Sequence, residues 1–296
     1  AYKELKRLNP CWSISCHFHD HSIGYLMGKI MGKISKSEFE ITLFLFQKPK
    51  DALAQAIHDS ADHVVFLPND LLTARPKIAH EELDILFYTD LGMDAITYFL
   101  AFARLAPLQC VTWGCGTTTA IPTIDYFISS QALETQDAQR YYTETLIQLP
   151  HLLPYYEVIP PSIKRDRPYF GLNSKTHIYF CPQSLFKIHP DCDKVFEEIL
   201  QNDPQGHLYL LEAEYPHLTQ QLMTRFQQTM TSVLTRITFL PRLPREQFFQ
   251  WIELADVILD PLHLVGGTTT YDSLWSGTPI VTLPSSFLRG RITFAC

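Results

Sequence analysis

Residues 255–283 read ADVILDPLHLVGGTTTYDSLWSGTPIVTL. The apolar run at 256–260 predicts a strand, PLHLVGG a loop closing on Gly266 and Gly267, and Thr268-Thr269-Thr270 the opening of a short helix. Gly277 and Pro279 stop that helix and release a second strand over 280–283. A strand, a helix and a second strand within thirty or so residues make a unit of parallel α/β layers, and this sets the fold class. The same unit suits an anion. Glycines admit close backbone approach, and the first-turn N–H groups with the helix dipole favour phosphate oxygens. Thr268 and Thr269 add hydroxyl donors, and Asp272, one turn further on, can accept from a ribose hydroxyl. A plainer reading stays open at this point, in which Thr268 caps the helix and the glycine pair is only a turn.

Working outward, short apolar strands alternate with helical stretches along the whole chain. In the first half, strands are expected over 13–17, 39–45, 63–66, 85–88, 110–113 and 126–129, with helices over 24–34, 49–56, 95–102 and 138–145. The second half gives strands at 178–181, 208–211 and 237–240, with helices at 193–202, 217–233 and 245–254. A proline-rich, then charged passage over 159–167 reads as a linker. The expected organisation is two Rossmann-like, doubly wound domains facing a cleft: 1–158, a linker over 159–172, and 173–296, the last incomplete at its end. Ligands bind such sheets outside the carboxyl ends of the strands.

Composition narrows the function. The 296 residues suit two domains of roughly 130–160 residues each. A net charge of −7 with no basic stripe argues against nucleic acid as a partner. The longest apolar runs are strand-sized, so no membrane partner is expected, and the charged opening decapeptide lacks the apolar core of a signal peptide. Seven cysteines without a CxxC spacing suit reduced thiols and a cytoplasmic location. The chain starts without Met and stops within what reads as a new helix, so a fragment of a longer protein is expected.

Other candidates lie outside the opening stretch. Lys187, in PQSLFKIHP just after a strand, offers a point charge for a diphosphate or is an ordinary solvated lysine. Asp90, in YTDLGM after another strand, reads either as an acceptor-side carboxylate or as a cap of the next turn. If 17–21 (HFHDH) is extended, His17, His19 and His21 share one face and could ligate zinc, as a hydrolase would require. Asp191-Cys192-Asp193 has the DxD form of a metal-holding pair, but it opens a helix, where capping is the expected role.

GGTTTYDSLWSGTPIVTLP, together with CPQSLFKIHPD, FARLAPLQCVTWG, IPTIDYFISS and HDHSIGYLM in this order, resembles the O-GlcNAc transferase family, glycosyltransferase family 41. The resemblance is closest to bacterial members and spans nearly the whole chain. It implies a GT-B fold and an inverting glycosyltransferase that needs no metal or other cofactor. The implied partners are a nucleotide-sugar donor, foremost UDP-GlcNAc, and a protein or peptide acceptor bearing Ser or Thr. Lys187 matches the family's diphosphate-binding lysine, and His21 the histidine beside the transferred sugar. The expected catalytic set is therefore His21, Lys187 and Asp90, and the expected donor set is Lys187, Gly266, Gly267, Thr268, Thr269 and Asp272. Cys115 and Gly116 depart from the His-Pro of bacterial relatives. That departure motivates one alternative, a catalytically silent nucleotide-sugar-binding module, beside the zinc hydrolase built on the histidine cluster.

Overall fold

The computed structural model describes residues 10–157 and 165–296. Residues 1–9 and 158–164, the latter being the last residue of the expected first domain and the first part of the expected linker, lie outside that description. The chain divides into two compact units, Ala1–Glu157 and Val158–Cys296.

The first unit is built on strands β1 (Pro10–Ser15), β2 (Thr42–Leu45), β3 (His63–Phe66), β4 (Ile85–Tyr88), β5 (Leu108–Thr112), β6 (Tyr126–Ser130) and β7 (Thr145–Leu149). They form one sheet in the order β3-β2-β1-β4-β5-β6-β7, every neighbouring pair parallel. The order reverses between β1 and β4, where Ile14 registers with Tyr88, so the crevice at their carboxyl ends is where a doubly wound sheet receives a ligand. β2 is buried throughout and β4 nearly so. Such continuous burial is what a parallel strand covered by helices on both faces demands. The helices are α1 (Ser22–Met27), α2 (Ala52–Ser60), α3 (Leu71–His80) and α4 (Ala95–Leu100).

Two sequence expectations need correction here. The helix expected over 138–145 is a single 3-10 turn, Ala138–Tyr141, followed by β7, whose Thr145 pairs with Tyr126 of β6. The run Tyr141-Tyr142-Thr143 disfavours a helix, while β-branched Thr145 and Ile147 suit a strand. The helix expected over 24–34 is the short α1 continued by a 3-10 segment, Gly28–Lys33, whose tighter winding still buries Ile30 and Met31.

The second unit repeats the plan with β8 (His177–Cys181), β9 (Gly206–Leu211), β10 (Ile237–Leu240), β11 (Val257–Leu259) and β12 (Ile280–Val281). Its order is β10-β9-β8-β11-β12, again parallel, with the reversal between β8 and β11. The helices are α5 (Asp191–Asn202), α6 (Pro216–Thr229), α7 (Arg245–Leu254), α8 (Thr268–Ser276) and α9 (Ile292–Ala295). Alternate residues of β8 feed opposite faces, as the pleat requires. Cys181 joins Phe196, Leu200, Leu222 and Phe226 in the layer under α5 and α6. Ile178 and Phe180 join Trp251 and Ile252 under α7. Arg167, within the expected linker, grips both oxygens of Asp256 at 2.8 Å and the Thr176 carbonyl at 2.8 Å. Phe170 packs with Trp251, so the described end of that passage is fastened to the second unit. Among the described residues, no helix is long and apolar enough to cross a membrane.

Candidate functional site

Each sheet carries a polar cluster at its switch point. In the second unit the cluster starts from Lys187, in the 3-10 turn that follows β8. Its Nζ donates to Gln183 Oε1 at 3.0 Å and to the Val265 carbonyl at 3.1 Å. Gln183 in turn donates from Nε2 to Thr269 Oγ1 at 2.5 Å. Loop 182–187 and the loop entering α8 are thus fastened to each other by one lysine and one glutamine. Burial lowers the Lys187 pKa, while the nearby Asp260 carboxylate opposes that shift.

Asp260, at the end of β11, accepts from the Gly266 N–H at 2.9 Å and from Thr282 Oγ1 at 3.0 Å. It shapes the glycine loop from behind, and its own burial raises its pKa. Gly266 is required sterically: a Cβ there would lie 2.6 Å from Thr269 Oγ1 and 2.8 Å from both Gln183 Nε2 and Thr270 Oγ1. Gly267 is the N-cap of α8 and, lacking a side chain, leaves this end uncapped by its own residue. The N-terminus of α8 thus opens without a side-chain cap beside the loop that Lys187 and Gln183 hold, and an uncapped helix N-terminus with an ammonium nearby is the kind of arrangement that suits phosphate oxygens. Gly277 closes α8 in the left-handed region (φ 76°), its N–H returning to the carbonyls of Ser273 and Leu274. Beside Gln183, a cavity of about 420 Å³ opens over the ends of β8, β9 and β10, lined by Leu211, Tyr215, Arg242 and Leu243 among others.

Two expectations for this unit change. Asp272 is 1% exposed and lies 3.5 Å from Arg245 of α7, so in this fold its carboxylate supports an arginine beneath the cradle and does not reach outward to a ribose. Its position one turn into α8 places it on the inward face, which the helical period allows and the sequence alone left open. The capping role read for Asp191-Cys192-Asp193 is also overturned. Pro190 is the N-cap of α5 and supplies no side-chain bond. Asp193 is buried instead against Arg225, whose Nε and Nη2 donate to it at 3.0 and 2.9 Å, with Thr229 at 2.8 Å. Asp191 stays on the surface and meets His263 Nε2 at 2.8 Å.

In the first unit, β1 ends at Ser15, before the histidine run. The following chain turns tightly, His19 N–H reaching the His17 carbonyl at 2.9 Å, so 17–21 is not extended. The imidazoles consequently pack on one another: His17 and His21 stack with centroids 4.4 Å apart, and His19 tilts against both. His21 caps α1, its Nδ1 accepting from the Ile23 N–H at 3.3 Å. That bond assigns Nδ1 as the acceptor, so a neutral His21 carries its proton on Nε2. Burial first, and then the neighbouring histidines, lower its pKa to about 4, which keeps it neutral near pH 7.

Asp90, at the end of β4, is 1% exposed. It accepts from Ser15 Oγ at 2.8 Å and from Thr89 Oγ1 at 3.2 Å, and His17 Nε2 lies 3.9 Å from the same oxygen that Ser15 bonds. It is therefore neither a surface carboxylate nor a side-chain cap but a buried group behind His17, and the expected contact with an acceptor is not available to it in this fold. Sequence reasoning did not single out Ser15, Gln183 or Asp260. Their only local signal was position at the carboxyl ends of the strands on either side of a reversal.

Two parallel sheets of this order, each reversing where its polar cluster sits, define a fold of the GT-B type, the class of many nucleotide-sugar glycosyltransferases. Residues 157–295 match the model of glycosyl transferase family 41. That match covers the second unit and agrees there with the resemblance read from the sequence. Over 290 residues the chain is 25% identical to an Arabidopsis thaliana protein described as probable UDP-N-acetylglucosamine–peptide N-acetylglucosaminyltransferase SEC, covering 94% of this chain and 29% of that one. It is 26% identical to the Solanum lycopersicum SPINDLY protein, which carries the same enzyme description, over 92% of this chain and 30% of that one. The chain spans about 30% of the length of these relatives. Among solved structures, a mutant of the Thermobaculum terrenum O-GlcNAc transferase superposes with a TM-score of 0.83 at 24% identity, covering 99% of this chain and 56% of that one. Anabaena HepE, solved with UDP and glucose, follows with a TM-score of 0.55 at 12% identity, over 92% of this chain and 80% of that one. Both share the fold.

Proposed function

We propose that the chain carries the donor-binding and catalytic elements of a protein glycosyltransferase, moving GlcNAc from UDP-GlcNAc to a Ser or Thr hydroxyl with inversion and without a metal on the diphosphate. The observation that carries this reading is the cradle at the start of α8, where Lys187, Gln183 and Thr269 are linked in one hydrogen-bonded chain around Gly266. The diphosphate would rest on the first-turn N–H groups and on the Thr268 and Thr269 hydroxyls, and Lys187 would bear its charge. The cavity beside Gln183 has room for the nucleoside. Relatives described as UDP-N-acetylglucosamine–peptide transferases support the choice of donor and acceptor.

In the reaction, the acceptor oxygen bonds to the anomeric carbon as the bond from that carbon to the phosphate oxygen breaks. The electron pair leaves with the nucleoside diphosphate, and the acceptor proton passes to a base. Negative charge grows on the diphosphate, where fixed N–H and hydroxyl dipoles and the Lys187 ammonium need no reorganisation to receive it. Loss of one comparable donor typically raises a barrier by roughly 3–4 kcal/mol. His21, neutral with its proton on Nε2, is suited to donate to a sugar hydroxyl and ill suited to abstract a proton. His17, with Asp90 behind it, is the better placed imidazole for accepting one.

Calorimetric titration with UDP and with GDP in EDTA tests the donor half, and transfer of labelled GlcNAc to a peptide mixture tests the whole. Binding of UDP without transfer would leave the silent-module reading. Absence of binding to either nucleotide by the folded chain would remove the donor site altogether.

A further inference from the structure

His189, Asp191 and His263 form a cluster outside the donor cradle. Each offers one ligand atom, and the three lie within 4.8 Å of one another. His263 Nε2 is 2.8 Å from Asp191 Oδ2, and His189 Nδ1 is 3.3 Å from the same oxygen. A tetrahedral zinc ion with bonds of about 2.0 Å separates neighbouring ligand atoms by roughly 3.3 Å. Two of the three separations already approach that spacing. His189 Nδ1 is placed to accept from the Asp191 N–H at 3.2 Å, and an ion bound at this nitrogen would take the place of that N–H. All three residues are exposed, which leaves water free to complete the coordination.

We propose that these side chains bind a divalent transition metal, Zn²⁺ in the first place, as a staple between the loop after β8 and the loop after β11. Two imidazoles and one carboxylate suit zinc, whereas Mg²⁺ and Ca²⁺ prefer all-oxygen sites. His189 stands two residues after Lys187 and His263 three residues before Gly266, so the ion fixes both loops of the cradle without being a ligand of the diphosphate.

The test is calorimetric titration of the chelator-treated chain with Zn²⁺ and with Mg²⁺, paired with hydrogen exchange over residues 261–267. The expected result is one Zn²⁺ per chain, weakened at least tenfold in His263→Ala and in His189→Gln, no response to Mg²⁺, and slower exchange of 261–267 on adding Zn²⁺ to the wild type only. Circular dichroism checks that each variant is folded. No zinc binding by the wild type, or binding in both variants as tight as in the wild type, overturns the site. Binding with unchanged exchange overturns the staple.

Discussion

Lys187 donates through Nζ to the carbonyl of Val265, 3.1 Å away and 78 residues later in the chain. The contact joins the turn after β8 to the residue immediately before the glycine pair, so the ammonium is held at the mouth of the α8 N-terminus. Replacing it removes a charge from the proposed diphosphate site and also leaves the Val265 carbonyl and Gln183 Oε1 without this donor. Lys187→Ala is therefore expected to weaken UDP binding by more than tenfold and to lower stability by about 1–3 kcal/mol. Titration calorimetry and urea unfolding separate the two effects. Unchanged UDP affinity in a folded variant would remove Lys187 from the donor site.

Gly266 gives a sharper test of the cradle. Its missing side chain is what lets Gln183, Thr269 and Thr270 meet, and a methyl group would sit 2.6–2.8 Å from one polar atom of each. Gly266→Ala should displace the α8 entrance at a cost of about 1–3 kcal/mol and abolish detectable UDP binding. Gly277→Ala, at the other end of α8, is strained by its positive φ but touches nothing within 4 Å. It should lower stability while sparing UDP affinity. Equal loss of binding in both variants would mean that α8 matters only as a folded element.

What the sequence made legible was local. The bounds of α7, the start of α8 and the core of nearly every strand follow from hydrophobic runs, proline and glycine within a few residues of one another. The missed or altered features depend on distant partners. β7 is a strand because Thr145 finds Tyr126, and α3 hides its pattern behind Pro76. Gln183 matters because Thr269 lies 86 residues on, and Asp191 because His263 lies 72 residues on. Asp90 and Asp272 sit at legible positions, yet their burial comes from packing that no spacing reveals. Local patterns therefore located the strand ends at which both polar clusters sit, whereas the strand order that makes them switch points, and which carboxylates face inward, are properties of the assembled sheets.

The two aspartates at the head of α5 should respond in opposite ways to removal. Asp193 is buried at 3% exposure and holds Arg225 through two nitrogens. Asp193→Ala leaves that guanidinium without its counter-charge and should cost about 3 kcal/mol, the lower end for a broken buried pair, since Arg225 keeps some solvent. Asp191 is exposed, and Asp191→Ala should leave stability in metal-free buffer nearly unchanged. Chemical denaturation of the two variants decides it. Comparable losses would restore a helix-capping role to Asp191.

Asp90 should make the chain less stable as pH rises. Burial lifts its carboxyl from the ordinary value of 3.8 to about 6, although hydrogen bonds from Ser15 and Thr89 pull the other way and Asp94 adds repulsion. Between those two values the unfolded chain has already released the proton that the folded chain still holds. Stability from this group is thus complete in acid, falls as pH climbs through that window, and is level above it. The full span corresponds to at most about 3 kcal/mol. Asp90→Asn keeps an oxygen for Ser15 or Thr89 and cannot ionise, so it should unfold at higher urea than the wild type at pH 7 and at equal urea at pH 3.5. His21, with its pKa lowered to about 4, contributes in the opposite sense, its share being lost as pH falls from about 6.5. The facing His17, also lowered by burial, has the same sign. Asp90→Asn leaves both imidazoles in place, so the difference between the two urea midpoints across pH isolates the carboxyl. A difference that stays constant from pH 3.5 to 7 would show that Asp90 does not titrate in that window.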